Sequence, residues 1–290
     1  MKQTEAFSPL TVIRHRDLFL LVLSFGLANA MLRPILESIE EFSFYSALWQ
    51  GFGISFIVWF AVHVVYEQLL KSSSAPADTT SLAVSFLTLL LFLFPSSMMA
   101  WIGLGFYCFY YSFLIPALKD PDHRIFRNAV LIAMALSFRV PVSDILLKIS
   151  ADFFLRFDAL ATELLLQLYG LNTERKGNIV NIEGGHELLI MTGCASFTNI
   201  SLSLLLWFTI VRSQNDYWKN SHYLFLGLLA LVVFLINLVR LSLMTLSKED
   251  YFFYHDGTGA DIVDALIVVS SIVLAFACVF QTKREVHNAH

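Results

Sequence analysis

Long apolar blocks constrain this chain more than any other feature. They fall at about 18–32, 48–70, 81–94, 98–118, 125–147, 194–211, 222–246 and 261–280. A helix needs roughly 20 mostly apolar residues to cross about 30 Å of hydrocarbon. The pattern therefore predicts an all-α polytopic membrane protein of about eight transmembrane helices. Composition agrees: 57% of the 290 residues are hydrophobic and 14% charged, against about 25% charged in a soluble globular domain. Only Pro95-Ser96-Ser97 separates the third block from the fourth, so these form a tight hairpin or are one misread pair. No convincing cleavage site follows Leu18–Leu32, which reads as a retained first span rather than a signal peptide. The net charge of −4 averages over loops on two sides of a membrane, and nothing points to a nucleic-acid partner.

Basic residues set the expected orientation. With a cytoplasmic N-terminus, eleven of the 19 Lys and Arg residues fall on inner segments and six on outer ones, while Arg139 and Arg240 lie inside apolar blocks. The positive-inside rule then favours both termini inside the inner (cytoplasmic) membrane. The run Tyr251-Phe252-Phe253-Tyr254 falls at the outer interface, where amphipathic rings are favoured.

One region departs from a plain span. Between Ala151 and Tyr169, the polar residues Asp152, Arg156, Glu163 and Gln167 recur on one helical stripe, and Gly170 is a suitable stop. This predicts an amphipathic helix at the outer face. Beyond it, Ile179–Ile182 and Glu187–Ile190 flank Glu183-Gly184-Gly185, the pattern of a short β-hairpin. The hairpin delivers the chain to Thr192-Gly193-Cys194, where the next span opens.

In this topology Cys194, Arg240 and His255 reach the same membrane face. A cysteine at a helix N-terminus is expected to have its pKa lowered toward the nucleophilic thiolate. An arginine near hydrocarbon needs an anionic partner or a polar cavity, so Arg240 marks a functional position. It can pair with the thiolate or stabilise an oxyanion. Asn237 lies one turn earlier on the same face, where it orients the guanidinium or donates to that oxyanion. The imidazole of His255 suits a general base or an acid to a leaving amine, and Gly257 and Gly259 give its loop conformational freedom. Asp256 can orient His255, and His186 is a minor rival base. Arg139 either pairs with Asp144 or serves the site, and His63 is expected to be a buried polar residue satisfied between spans. Cys108 and Cys278 read as small apolar fillers. No CxxC spacing or His pair accompanies the cysteines, so no metal or organic cofactor is expected.

The stretches Gly193-Cys194-Ala195-Ser196, Asn237-Leu238-Val239-Arg240 and Phe253-Tyr254-His255-Asp256-Gly257-Thr258-Gly259, in this order and spacing, resemble the exosortase/archaeosortase family. Arg139-Val140-Pro141, the Leu165–Gly170 helix end and Arg175-Lys176-Gly177-Asn178-Ile179 are similar to that family's approach to its cysteine. The resemblance covers about 139–280. It implies a multi-pass cysteine protease or transpeptidase that cleaves C-terminal sorting tails: a short motif such as Pro-Glu-Pro, an apolar span and a basic end (PEP-CTERM-like). Cys194, Arg240 and His255 would be its catalytic residues. Its partners would be exported proteins bearing such tails, the lipid bilayer and a lipid or sugar acceptor. Cys194-Ala195-Ser196 stands where the family usually has Cys-Ser-Gly, a departure that bears on the subfamily and the tail recognised.

The expected organisation is a set of N-terminal spans of unassigned role (1–124) followed by a catalytic membrane region (125–290). A membrane acyltransferase using the same cysteine is the alternative. A transporter is weighed below both, because the chain shows no internal repeat and no matched pair of broken spans.

Overall fold

The computed structural model describes residues 13–115, 123–214 and 218–287. The chain divides into two compact units, one of residues 1–54 and 65–137, the other of residues 55–64 and 138–290.

In the first unit, α1 (His15–Trp49) packs against α3 (Thr79–Leu91) and α4 (Ser97–Phe109). The short connection through Pro95 and Ser96 makes α3 and α4 the tight hairpin read from the sequence, with the Ser96 hydroxyl accepting from Met99 N–H at the head of α4. Asn29 on α1 donates to the carbonyls of Phe92 and Phe94 at 2.8 and 2.9 Å, satisfying groups that the end of α3 leaves unpaired. A Cβ at Gly26 would lie 2.5 Å from Leu104 Cδ2, so α1 and α4 meet where only hydrogen fits. Cys108 is buried here, as expected of a filler.

Four helices among the described residues are long and apolar enough to cross a membrane: α1, α5 (Arg124–Leu168), α7 (Asn220–Met244) and, over Thr258–Glu285, α9 (Thr258–His287). The remaining expected spans fall short. The blocks at 48–70, 81–94 and 98–118 yield α2 (Phe56–Lys71), α3 and α4, of 16, 13 and 13 residues; a π-helical turn over Tyr110–Leu114 continues α4, and 116–118 lie outside the described residues. The α6 helix (Ser196–Gln214) is 19 residues long, but its first half carries Ser196, Thr198, Asn199, Ser201 and Ser203. The helix expected at 151–169 forms the second arm of α5, set off from the arm before it by a kink at Ser150 (φ −123°, ψ 15°), next to the start at Ala151 read from the sequence. His63, expected to be buried between spans, is exposed on α2 among the described residues.

The second unit positions the site. Helices α6, α7 and α9 pack against one another, and α8 (Lys248–His255) lies against α7 and α9. Gly170, at φ +78°, ends α5. Its N–H bonds Gln167 O, and the Leu171 N–H bonds Leu166 O, the paired return bonds of a Schellman stop. The chain then forms a three-stranded antiparallel sheet, β1 (Thr173–Lys176), β2 (Ile179–Ile182) and β3 (Leu188–Leu189). The β2–β3 hairpin matches the sequence reading, with Val180 facing Leu188, whereas β1 was not anticipated. It pairs Lys176 with Ile179 across Gly177-Asn178, and Gly177 at φ +67° supplies the left-handed backbone of a two-residue turn. Arg175 ties the sheet to α5 through Glu163 Oε2 at 2.9 Å. One core joins Ala159 and Leu166 of α5, Val180 and Ile182 of β2, Cys194, and Leu241 and Met244 of α7.

Candidate active site

The approach to Cys194 is held at several points. Asn178 donates through Nδ2 to Ile190 O at 2.8 Å and accepts from Ile190 N–H at 3.0 Å, fixing the strand end that leads to the cysteine. Cys194 N–H then bonds Met191 O at 3.0 Å and closes a turn. Helix α6 begins two residues later. The side chain of Cys194 is buried, 7% exposed.

Asn237, fully buried on α7, grips this turn. Its Nδ2 donates to Cys194 O at 3.1 Å and to Ser196 Oγ at 3.0 Å, while its Oδ1 accepts from Asn199 at 3.1 Å. The amide has only two N–H groups, and both are engaged on the cysteine turn. Asn237 therefore neither orients the Arg240 guanidinium nor faces an oxyanion, the roles expected from its one-turn spacing. It acts on the backbone that carries the thiol.

Arg240, half-buried on α7, donates from Nε to Tyr254 O at 2.9 Å and from Nη2 to His255 O at 3.4 Å. These are terminal carbonyls of α8, groups that a basic side chain commonly satisfies. The three other guanidinium N–H groups make no hydrogen bond among the described residues.

His255 ends α8. Its ring stacks on Tyr251 at 5.0 Å between centroids and 19° between planes, and the same Tyr251 ring meets His186 at 4.9 Å. His255 Nδ1 lies 2.8 Å from Asp256 Oδ1, within ion-pair distance, but the contact lacks the angle of a hydrogen bond. Burial raises the Tyr251 phenol, with the Cys194 sulfur and Asp256 adding to the shift, so it stays protonated at neutral pH. Gly257 and Gly259 do not use the backbone freedom read from the sequence, since neither has a positive φ. They are needed for space: a Cβ would lie 2.9 Å from Phe253 O at Gly257 and 2.6 Å from the Phe253 ring at Gly259.

The sequence elements thus converge. Tyr251 and Tyr254 of α8 pack against the core that contains Cys194, and the charges of Arg240 and Asp256 both act on its thiol. The expected lowering of the thiol pKa does not occur. Burial pushes the thiol up, and the Arg240 guanidinium offsets only part of that. The expected helix-dipole effect is weak here because α6 starts two residues on and its first amide is already taken, Ser196 N–H donating to Asp158 Oδ2 at 2.9 Å.

Asp158, 3% exposed, is the residue that sequence reasoning missed. A signal was available: at about 100° per residue, Asp158 falls on the face of α5 opposite the Asp152–Gln167 polar stripe. Asp152 and Arg156 on that stripe pair with each other at the surface, 2.7 Å apart. Arg139 donates to Ser201 Oγ on α6 at 3.4 Å, with the Asp144 charge nearby, so it braces α5 against α6.

A helical membrane protein with a buried cysteine turn, an arginine clasping a short helix and a histidine at that helix's end is the class this geometry defines. The family model of transmembrane exosortase (Exosortase_EpsH) matches residues 47–277, and the chain belongs to that family. The match begins well before Arg139, so the N-terminal apolar segments from residue 47 onward are part of it. Comparison with curated proteins and with solved structures returns no match.

Proposed function

We propose that this exosortase-family protein is a cysteine protease or transpeptidase that removes C-terminal sorting tails from exported proteins at the outer face of the inner membrane. The convergence of a braced Cys194 turn, Arg240 with three uncommitted N–H groups, and His255 beside Asp256 carries this reading. His255 takes the proton from the Cys194 thiol. The resulting thiolate attacks the peptide carbonyl carbon, and the free guanidinium donors stabilise the oxyanion. As the C–N bond breaks, His255 returns the proton to the leaving amine of the tail, and a thioester remains on Cys194. Water resolves the thioester in a protease; a lipid or sugar amine or hydroxyl resolves it in a transpeptidase. An apolar pocket bordered by Leu165, Leu166, Leu171, Leu243 and Leu246, next to the core that holds Cys194, suits the apolar part of such a tail.

The test is Cys194→Ala in cells that make a tail-bearing, PEP-CTERM-like substrate. The variant is expected to accumulate normally, since thiol and methyl are of similar size, while full-length substrate builds up in the membrane. Cys108→Ala and Cys278→Ala are expected to process normally. Normal processing by Cys194→Ala overturns the assignment.

A further inference from the structure

A buried carboxylate within a membrane helix is costly unless it is bonded, so its partner indicates its purpose. Among the described residues, the Asp158 carboxylate bonds the Ser196 segment at the head of α6. Its Oδ2 accepts the Ser196 N–H at 2.9 Å. Ser196 is the first residue of α6, and its N–H is one of the four amides that a helix N-terminus leaves unpaired. Ser196 Oγ simultaneously accepts from Asn237, whose other N–H holds Cys194 O. The Cys194–Ser196 segment is therefore held by a buried acid from α5 and a buried amide from α7. Ser196 links the two where the family usually has glycine, which has no side chain to do so.

We propose that Asp158 is a positioning residue for the Cys194 nucleophile, clamping the turn that carries it by accepting the Ser196 N–H while Asn237 holds the Cys194 carbonyl. The proposal rests on Cys194 being the nucleophile, but its geometric content concerns only how the thiol is held. Without the clamp the turn loosens. The thiol then becomes easier for a small reagent to reach and is held less well for attack on a peptide carbonyl. Labelling and catalysis are expected to move in opposite directions, which a residue serving only overall stability would not produce.

The experiment uses the full-length protein in membranes and a membrane-permeant maleimide, with mass spectrometry following all three cysteines in the same sample. Cys108 and Cys278 are each 0% exposed and serve as internal reporters of global unfolding. Asp158→Ala is expected to label Cys194 about tenfold faster, the worth of one net hydrogen bond, with Cys108 and Cys278 unchanged and substrate processing slower. Asp158→Asn keeps an oxygen acceptor at the same place and is expected to stay within about threefold of the wild type in both measurements. Ser196→Pro deletes the same bond from its donor side, at a first-turn position that tolerates proline, and is expected to label like Asp158→Ala even if the latter fails to accumulate. Unchanged Cys194 labelling in either bond-deleting variant that accumulates overturns the clamp. So does acceleration of all three cysteines together, or an Asp158→Asn variant that labels like Asp158→Ala. If Cys194→Ala processes substrate normally while the labelling pattern holds, the clamp stands and the catalytic reading falls.

Discussion

Replacing Arg240 by lysine separates two things the guanidinium does. Its charge acts on the Cys194 thiol, opposing the effect of burial. Its fork acts through geometry: Nε and Nη2 hold the carbonyls of Tyr254 and His255 at 2.9 and 3.4 Å, and the three other N–H groups are the donors that the proposed mechanism turns to an oxyanion. Lysine keeps the charge, but its ammonium is a compact point with three donors on a flexible stem and cannot reproduce the planar fork. Loss of one bond from a charged donor to an α8 carbonyl costs about 1.5–3 kcal/mol at most, less at this half-exposed position. Loss of one oxyanion donor costs about 100- to 1000-fold in rate. Arg240→Lys is therefore expected to accumulate normally and to process substrate at least about tenfold more slowly, a barrier increase of about 1.4 kcal/mol or more. Its Cys194 should be labelled by maleimide at close to the wild-type rate. Arg240→Ala loses charge and fork together. It should process more slowly still and label more slowly at a given pH, because removing the cation pushes the thiol further up. The assay is the processing half-time of a pulse-labelled tail substrate, normalised to enzyme abundance, beside the labelling rate of Cys194. Wild-type processing by Arg240→Lys would reduce Arg240 to a charged anchor and refute the donor-geometry argument.

Because burial raises the Cys194 thiol above its ordinary value, maleimide labelling of the substrate-free protein should keep climbing as pH rises past about 8.5, the ordinary cysteine value; a plateau near neutrality would contradict this. Gly259→Ala places a methyl 2.6 Å from the Phe253 ring and 2.8 Å from Phe253 O, so it should displace the end of α8 and slow processing at least about tenfold through lost positioning, and wild-type kinetics would show that the loop absorbs the methyl. An impermeant thiol reagent should reach Ser247→Cys, but not Ser213→Cys, in intact cells, as expected with both termini inside. The reverse pattern would invert the proposed orientation.

The parts of the site legible in the sequence were those whose chemistry is carried by residue type. A cysteine opening a polar stretch, an arginine inside an apolar block and a histidine beside paired glycines each stand out against a hydrophobic background. The β2–β3 hairpin was legible for the same reason, since Glu183-Gly184-Gly185 interrupts two β-prone runs. What stayed hidden depends on which atom meets which. Asn237 sits at helical spacing from Arg240, but spacing fixes only the face, and its amide turns to Cys194 and Ser196 instead. Gly257 and Gly259 were assigned to backbone freedom, whereas close approach to Phe253 is their reason. Helix lengths were misjudged because apolar composition does not report where a helix ends. Gly51 and Gly53, both at positive φ, break the block at 48–70.

The reversal at the thiol bears most directly on mechanism. A cysteine activated by its own helix would rest as a thiolate and need the histidine only for the leaving group. Here the Asp158 carboxylate occupies the first amide of α6, burial disfavours the anion, and Asp256 adds a negative charge beside the sulfur. The resting form is the neutral thiol, so in the proposed reaction the nucleophile arises only through proton transfer to His255. The position of that base is set by residues on other elements: Arg240 of α7 holds the Tyr254 and His255 carbonyls, and Tyr251 stacks on the imidazole. Reactivity is thus a property of the assembled α5–α8 arrangement rather than of Cys194 alone. For the proposed enzyme this has a consequence: a neutral buried thiol reacts slowly with passing electrophiles and oxidants, whose attack follows thiolate character and exposure.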